Sequence, residues 1–162
     1  MAATEYWKLF KPTACSVELA GTSREELFGE LVGNFVKSKF LPAEQEKPAL
    51  KALLEREAMA STGVGQRVAI PHVKVAGLDE ALFSVSLHRA GIEWGAIDGQ
   101  PVSIFFTVLR PEKAGARHQP ERHLDMMRWV SQLGRDADFR RFAQAVTNKK
   151  ALVDLLREMS PS

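Results

Sequence analysis

The chain has 162 residues, of which 45% are hydrophobic and 26% charged. This balance is that of one ordinary globular domain and excludes a disordered or fibrous chain. The formal net charge is only +2, too small for a broad basic surface, so we expect no nucleic-acid partner. The one cysteine, Cys15, excludes an internal disulfide framework and leaves little on which to build a zinc cluster.

The amino terminus mixes acidic and basic side chains into its apolar stretch, whereas a signal peptide has an uninterrupted hydrophobic run. No window approaches the roughly 20 apolar residues that cross a bilayer. The sequence therefore predicts a cytoplasmic protein without membrane insertion. No linker, low-complexity tract or repeat divides the chain, so we predict one domain over residues 1–162.

The first third of the chain is predicted to hold one strand and two helices. Apolar and polar residues alternate over Cys15–Ala20, which is typical of a half-buried strand. A helix capped by Thr22 or Ser23 is predicted to run to about Phe40, because its apolar residues recur at helical spacing. A second helix is predicted from about Ala43 to Ala60.

The middle of the chain is predicted to form most of a sheet. Val68–Ile70 reads as a short strand that Pro71 stops. Phe83–His88 alternates, which predicts a strand with one buried and one polar face. Ile92–Ile97 is predicted to form another short strand, joined by a hairpin turn to the next strand, Val102–Leu109. That last run is almost uniformly apolar, as in a central strand covered on both sides.

The last third is predicted to be helical. One helix begins near Pro120, and its apolar residues Met126, Trp129, Val130 and Leu133 repeat at the spacing of a packed face. The same spacing occurs twice more, the second time after a capping Asn148. The predicted fold class is α/β, a single domain with a mixed sheet flanked by helices on both faces.

A segment rich in hydroxyls and glycine precedes the first candidate histidine, His72. Ser61, Thr62 and Gly63 lie there, and glycine lets backbone amides approach an anion while hydroxyls donate to phosphate oxygens. The lysine and hydroxyl of a nucleotide-binding P-loop are missing after Gly65. The alternative is that the segment only ends a helix and that His72 is a structural strand-end residue.

The other three histidines differ in their predicted surroundings. His123 falls on the inward side of a helix in its first turn, where the helix dipole favours a neutral imidazole that can act as nucleophile or hydrogen-bond partner. The alternative is a satisfied histidine at the edge of the core. His88 is predicted to be a solvated surface residue and His118 a mobile loop residue. No metal site and no serine hydrolase is predicted, because the ligand spacings and the Gly-x-Ser-x-Gly motif are absent.

The run from Arg56 to Lys74, REAMASTGVGQRVAIPHVK, resembles the phosphorylation segment of the fructose, mannitol and nitrogen-regulatory enzyme IIA family of the phosphotransferase system. The Asp98–Val102 run, the apolar strand after it and His123 with Leu124 follow in the family's order. The resemblance therefore covers nearly the whole chain. It implies a mixed sheet flanked by helices and a phosphohistidine carrier that receives its phosphoryl group from the phosphocarrier HPr or its nitrogen-branch relative.

The resemblance also implies roles for individual residues. His72 matches the histidine that accepts the phosphoryl group, His123 the second active-site histidine, and Arg56 the arginine that helps neutralise phosphate. The loop that lines the phosphate is matched by Ser61, Thr62 and Gly63. Neither a cofactor nor a metal is implied.

Two features depart from the family's pattern. Arg67 stands where the family commonly has glycine, and it could add positive charge to the site. The loop with His118 and Pro120 is poorly matched, which puts the geometry on that side in question.

We favour the nitrogen-regulatory branch, because no fused permease or carrier domain is present. One alternative is a sugar-specific enzyme IIA that passes its phosphate to an enzyme IIB. The other is a regulatory binding module that contacts kinases, transporters or transcription factors.

Overall fold

The computed structural model describes residues 2–115 and 118–161 of the chain. They form one mixed five-stranded sheet, in which the long strand β5 is central. On one edge β5 pairs antiparallel with β4, and on the other it pairs parallel with β2 and then with β3, while β1 adds to β2. The strands are β1 (Gly63–Gly65), β2 (Val68–Ala69), β3 (His72–Val75), β4 (Leu82–Ile92) and β5 (Val102–Pro111).

Helices cover both faces of this sheet. The helices are α1 (Arg24–Lys37), α2 (Glu46–Met59), α3 (Pro120–Arg135), α4 (Ala137–Ala145) and α5 (Lys149–Glu158), with short 3-10 helices at Ala3–Leu9, Pro12–Ala14 and Ala43–Gln45. One core lies between the sheet and α1 with α2, and a second lies between the sheet and α3 to α5. The predicted fold class is thus confirmed. No helix in the described part of the chain is long and apolar enough to cross a membrane.

Helix starts follow the predicted capping chemistry. The hydroxyl of Ser23, rather than that of Thr22, accepts the Glu26 amide of α1, and Asn148 accepts the Ala151 amide of α5. These side chains satisfy amides that have no partner inside their helix. In α3 the four residues predicted to pack, Met126, Trp129, Val130 and Leu133, are all buried.

Two predicted strands are wrong. Cys15–Ala20 buries Cys15, Val17 and Leu19 as its alternation requires, but it meets β4 through only one isolated bridge and so forms no strand. Ile92–Ile97 forms no strand either. There β4 extends to Ile92 and the chain then leaves the sheet, because the Trp94 side chain is fully buried between α1 and the sheet.

Strands β1 and β3 have no counterpart among the predicted strands. Pro71 lies between β2 and β3 and interrupts their pairing with β5, since proline has no amide hydrogen to donate. Its carbonyl still accepts the Val108 amide at 2.9 Å. Hydrogen bonding to β5 therefore continues directly into β3, where His72 lies opposite Val108.

The predicted polar face of β4 is buried rather than solvated. His88 is only 7% exposed, and Ser84 and Ser86 are fully buried with it. The Nε2 atom of His88 lies 2.9 Å from the Gly21 carbonyl, which can only accept, so Nε2 donates. The prediction of a solvated His88 is wrong because this sheet has packed layers on both faces.

Candidate functional site

His72 begins β3, and a backbone hydrogen-bond acceptor fixes its protonation. Its Nδ1 lies 2.7 Å from the carbonyl oxygen of Ile70, two residues earlier. Because a carbonyl only accepts, Nδ1 carries the proton and Nε2 holds the lone pair of the neutral ring. The side chain is half-buried, and within the described chain no hydrogen bond engages Nε2. The ring thus presents a nucleophilic nitrogen.

His123 faces this histidine from the first turn of α3. It is half-buried, and its pKa is lowered to about 4. Burial is the largest cause, followed by the positive charge of Arg110 and the neighbouring rings of His118 and His72. His123 is therefore neutral near pH 7, as predicted, through burial and neighbouring charge.

His118 is buried against His123, so the prediction of a mobile loop residue is wrong. The two rings meet edge to face with their centroids 5.5 Å apart. The backbone of His118 exchanges two hydrogen bonds with Gly115, and burial followed by Arg110 lowers the pKa of its ring. The loop predicted over residues 110–119 also contains residues 116 and 117, which lie outside the described residues. Within the described ranges no group of three or more His, Cys, Asp and Glu side chains could hold a metal ion.

Arg110 brings positive charge to the rings of His118 and His123. It lies near the end of β5, two residues after Val108, the partner of His72 in the parallel register. Residues two apart on a strand share a face of the sheet. The half-buried Arg110 therefore shares the face of His72, and its charge acts on both His118 and His123.

The loop after α2 is held by hydrogen bonds within the protein. Buried Glu57 accepts the Thr62 amide at 2.7 Å and the Thr62 hydroxyl at 2.5 Å. The Trp94 indole donates to the same hydroxyl. The Ser61 hydroxyl in turn accepts the Gly63 amide at 3.0 Å and lies 3.3 Å from the Trp94 carbonyl.

Arg56 lies at the end of α2, where its guanidinium donates to the Ala60 carbonyl at 2.7 Å. This bond satisfies a carbonyl at the helix end. No hydrogen bond or ion pair in the described ranges joins Arg56 to His72. The contacts thus place Arg56 at the start of the loop.

Arg67 turns its side chain away from the three clustered histidines. Its φ of +69° and that of Gln66 at +56° lie in the left-handed region, which suits the glycine that the family commonly has at position 67. The side chain runs past Gly91 toward the Ser103 hydroxyl, 3.4 Å from its Nε. The positive charge of Arg67 therefore lies beside β4 and β5 rather than beside His72.

The structure brings four residues together: His72, His123, His118 and Arg110. Of these, only His72 and His123 were predicted as site residues. A signal for Arg110 was present. It closes an apolar strand, and the carboxyl ends of parallel strands meet at one edge of a sheet. His118 had no such signal, since its burial depends on how the loop folds back toward α3.

Comparison with known proteins identifies the family. Residues 8–159 match the family described as phosphoenolpyruvate-dependent sugar phosphotransferase system, EIIA 2. The chain therefore belongs to this family. It is an enzyme IIA phosphocarrier, a component that transfers phosphoryl groups through a histidine intermediate.

Relatives come from more than one branch of the family. A nitrogen regulatory protein of Bradyrhizobium diazoefficiens is 31% identical over 148 residues, which is 91% of this chain and 92% of the relative. A fructose-specific EIIA component of Haloferax volcanii is 32% identical, with 68% of this chain and 69% of the relative covered. The crystal structure of the nitrogen regulatory protein IIA-Ntr from Neisseria meningitidis superposes with a TM-score of 0.77 at 26% identity, covering 93% of this chain and 97% of that one.

Proposed function

We propose that this chain is one cytoplasmic enzyme IIA domain that accepts a phosphoryl group on Nε2 of His72 from an HPr-type phosphocarrier, in a nitrogen-regulatory role. The choice of Nε2 as the acceptor atom rests on one hydrogen bond. The bond from Nδ1 to the Ile70 carbonyl leaves Nε2 with the lone pair.

The transfer needs no proton movement at His72. The lone pair of Nε2 forms a new nitrogen–phosphorus bond while the bond to the donor's histidine breaks, and the donor ring keeps that electron pair. The His72 ring then carries a positive charge, and Nδ1 keeps its proton and continues to donate it to the Ile70 carbonyl, which stabilises that charge. Because one nitrogen–phosphorus bond replaces another, alignment and charge stabilisation supply the catalysis.

The neighbouring residues are proposed to assist this step. Neutral His123 can donate a hydrogen bond to a phosphoryl oxygen, since its pKa of about 4 leaves one ring nitrogen protonated and the ring uncharged. Arg56 is proposed to help neutralise the phosphate, for which its head group would leave Ala60. Ser61, Thr62 and Gly63 are proposed to shape the loop beside the phosphate.

Exposed apolar side chains near the site suit a protein partner. Val64 follows the loop, Leu124 follows His123, and Ile97 is 89% exposed beside Gly65. Such side chains bury apolar area on docking and exclude water from the phosphoryl group. We propose that the phosphocarrier docks here, and that kinases or transporters could use the same face.

The branch is supported by the relatives. The 31% identical nitrogen regulatory protein spans nearly the whole of both chains, which favours the nitrogen-regulatory role. The similarity to a fructose-specific EIIA component supports a second candidate, a sugar-specific subunit that passes its phosphate to an enzyme IIB.

The test is phosphorylation of the purified chain with phosphoenolpyruvate, enzyme I and HPr, or with their nitrogen-branch counterparts. Mass spectrometry should find one acid-labile phosphate on His72 and none in a folded His72→Ala variant. Label retained in that variant would contradict the assignment. Rapid transfer onward to a fructose-type enzyme IIB would favour the sugar-specific branch, and phosphorylation by the nitrogen-branch donor alone would favour the regulatory one.

A further inference from the structure

We propose that Arg110 binds the phosphoryl group carried on His72 and is a second cationic residue of the site, beside the arginine that the family resemblance assigns. This inference rests on the proposed function of His72. It concerns a residue that the sequence motifs did not single out.

The strand register places Arg110 within reach of the acceptor. Along the parallel pair of β3 and β5, His72 lies opposite Val108 and Lys74 opposite Arg110. With about 3.3 Å per residue and about 4.8 Å between strands, the Cα atoms of His72 and Arg110 are roughly 8 Å apart. An extended arginine side chain spans most of that distance, and both residues share the α3 side of the sheet.

Among the described residues, no side chain or carbonyl occupies the head group of Arg110. Its side chain is half-buried, yet over residues 2–115 and 118–161 it makes no hydrogen bond and no ion pair with another side chain. Arg56, by contrast, already donates to the Ala60 carbonyl at 2.7 Å. A partly buried guanidinium without a partner is costly, and a phosphoryl group offers the acceptor oxygens that its planar fork matches.

The pKa values of the neighbouring histidines also point to the guanidinium of Arg110. Arg110 contributes to the lowered pKa values of both His118 and His123, and His72 also contributes to that of His123. The rings of His118 and His123 are therefore within the field of this one cation, and His123 in turn lies close to His72. A doubly charged phosphoryl group on His72 would relieve the repulsion, so the cluster is better suited to the phosphorylated state than to the free one.

The test measures how phosphate partitions between the donor and this chain at equilibrium. Wild type, Arg110→Gln, Arg110→Lys and Arg141→Gln are each mixed with phosphorylated HPr-type donor, and both proteins are quantified by intact mass. Arg141 is the matched control, because its 70% exposed side chain pairs with Asp138 on α4. Losing a hydrogen bond to a charged group should shift the partition toward the donor about 10- to 150-fold in Arg110→Gln. Arg110→Lys should fall between, and Arg141→Gln should match wild type.

Two controls separate binding from folding. The amide NMR spectrum should show that Arg110→Gln keeps the fold, and should Arg110→Gln not fold, the intermediate partition of Arg110→Lys carries the same test. Histidine titration by NMR should show the pKa of His123 rising in Arg110→Gln. An unchanged partition in folded Arg110→Gln, with the wild type carrying phosphate on His72, overturns this inference alone. Absence of phosphate on His72 in the wild type overturns the proposed function itself.

Discussion

The two sides of the candidate site use their polar groups differently. On the α2 side, Glu57, Thr62 and Trp94 bond to one another, and Arg56 bonds to the end of its own helix. On the α3 side, Arg110 has no partner within the described part of the chain, and His118 and His123 meet only through their rings. The first side gives the loop its shape, and the second keeps donors available for an anion. We therefore expect changes at Glu57 to affect mainly stability and changes at Arg110 or His123 to affect mainly the proposed transfer.

The largest expected effect is on stability, from Glu57→Gln. Glu57 is buried and accepts both the amide and the hydroxyl of Thr62. A glutamine keeps one acceptor and turns an amide group toward the other donor, which should cost about 2 to 3 kcal/mol. Urea unfolding measures this loss. Glu55→Gln on the exposed side of α2, paired only with Lys51 at 3.8 Å, should lie within about 0.5 kcal/mol of wild type.

Next is the effect of His123→Gln on phosphoryl transfer. Loss of one hydrogen bond to the charged group should slow transfer about 10- to 100-fold while His72 can still be labelled. Rapid-quench kinetics with the phosphorylated donor gives the rate. Transfer as fast as in wild type would remove the role assigned to His123.

The acid sensitivity of the fold should change in the same variant. The pKa of His123 is 6.5 as a reference and about 4 in the folded chain, so below pH 6.5 the unfolded chain binds a proton that the folded chain refuses. The stability linked to His123 is therefore complete above pH 6.5 and is lost as the pH falls toward 4. Between pH 7.5 and 5 wild type should lose about 1 kcal/mol more than His123→Gln, with screening allowed for. Parallel stability curves would contradict the lowered pKa.

The smallest expected effect is from Arg67→Gly. Glycine relieves the left-handed backbone at φ +69° but loses the contact with Ser103, so stability should stay within about 1 kcal/mol. Because the side chain leaves the site, phosphoryl transfer should be unchanged. A severalfold slower transfer would instead show that Arg67 supplies charge to the phosphate.

Sequence patterns predicted the fold where one periodicity decides the structure. The regular spacing of Met126, Trp129 and Leu133 identified α3, and the capping of Asn148 identified the start of α5. Patterns failed where tertiary contacts decide. Phe83–His88 alternates like a half-exposed strand, but packed layers on both faces of the sheet bury its polar residues as well.

The candidate site was predictable only in part, for the same reason. His72 and His123 were found through local motifs and helix position, and both lie together in the structure. The proximity of Arg110 depends on the register between β3 and β5, in which His72 pairs with Val108, 36 residues further along the chain. That register depends on Pro71, whose carbonyl holds the Val108 amide, and no periodicity in either strand encodes it.

The hydrogen bond from His72 to the Ile70 carbonyl spans only two residues. The backbone next to His72 is therefore enough to place the proton on Nδ1, as the proposed transfer requires. Neither a distant element nor a partner protein is needed to select this tautomer. A carrier built in this way is ready before its donor arrives.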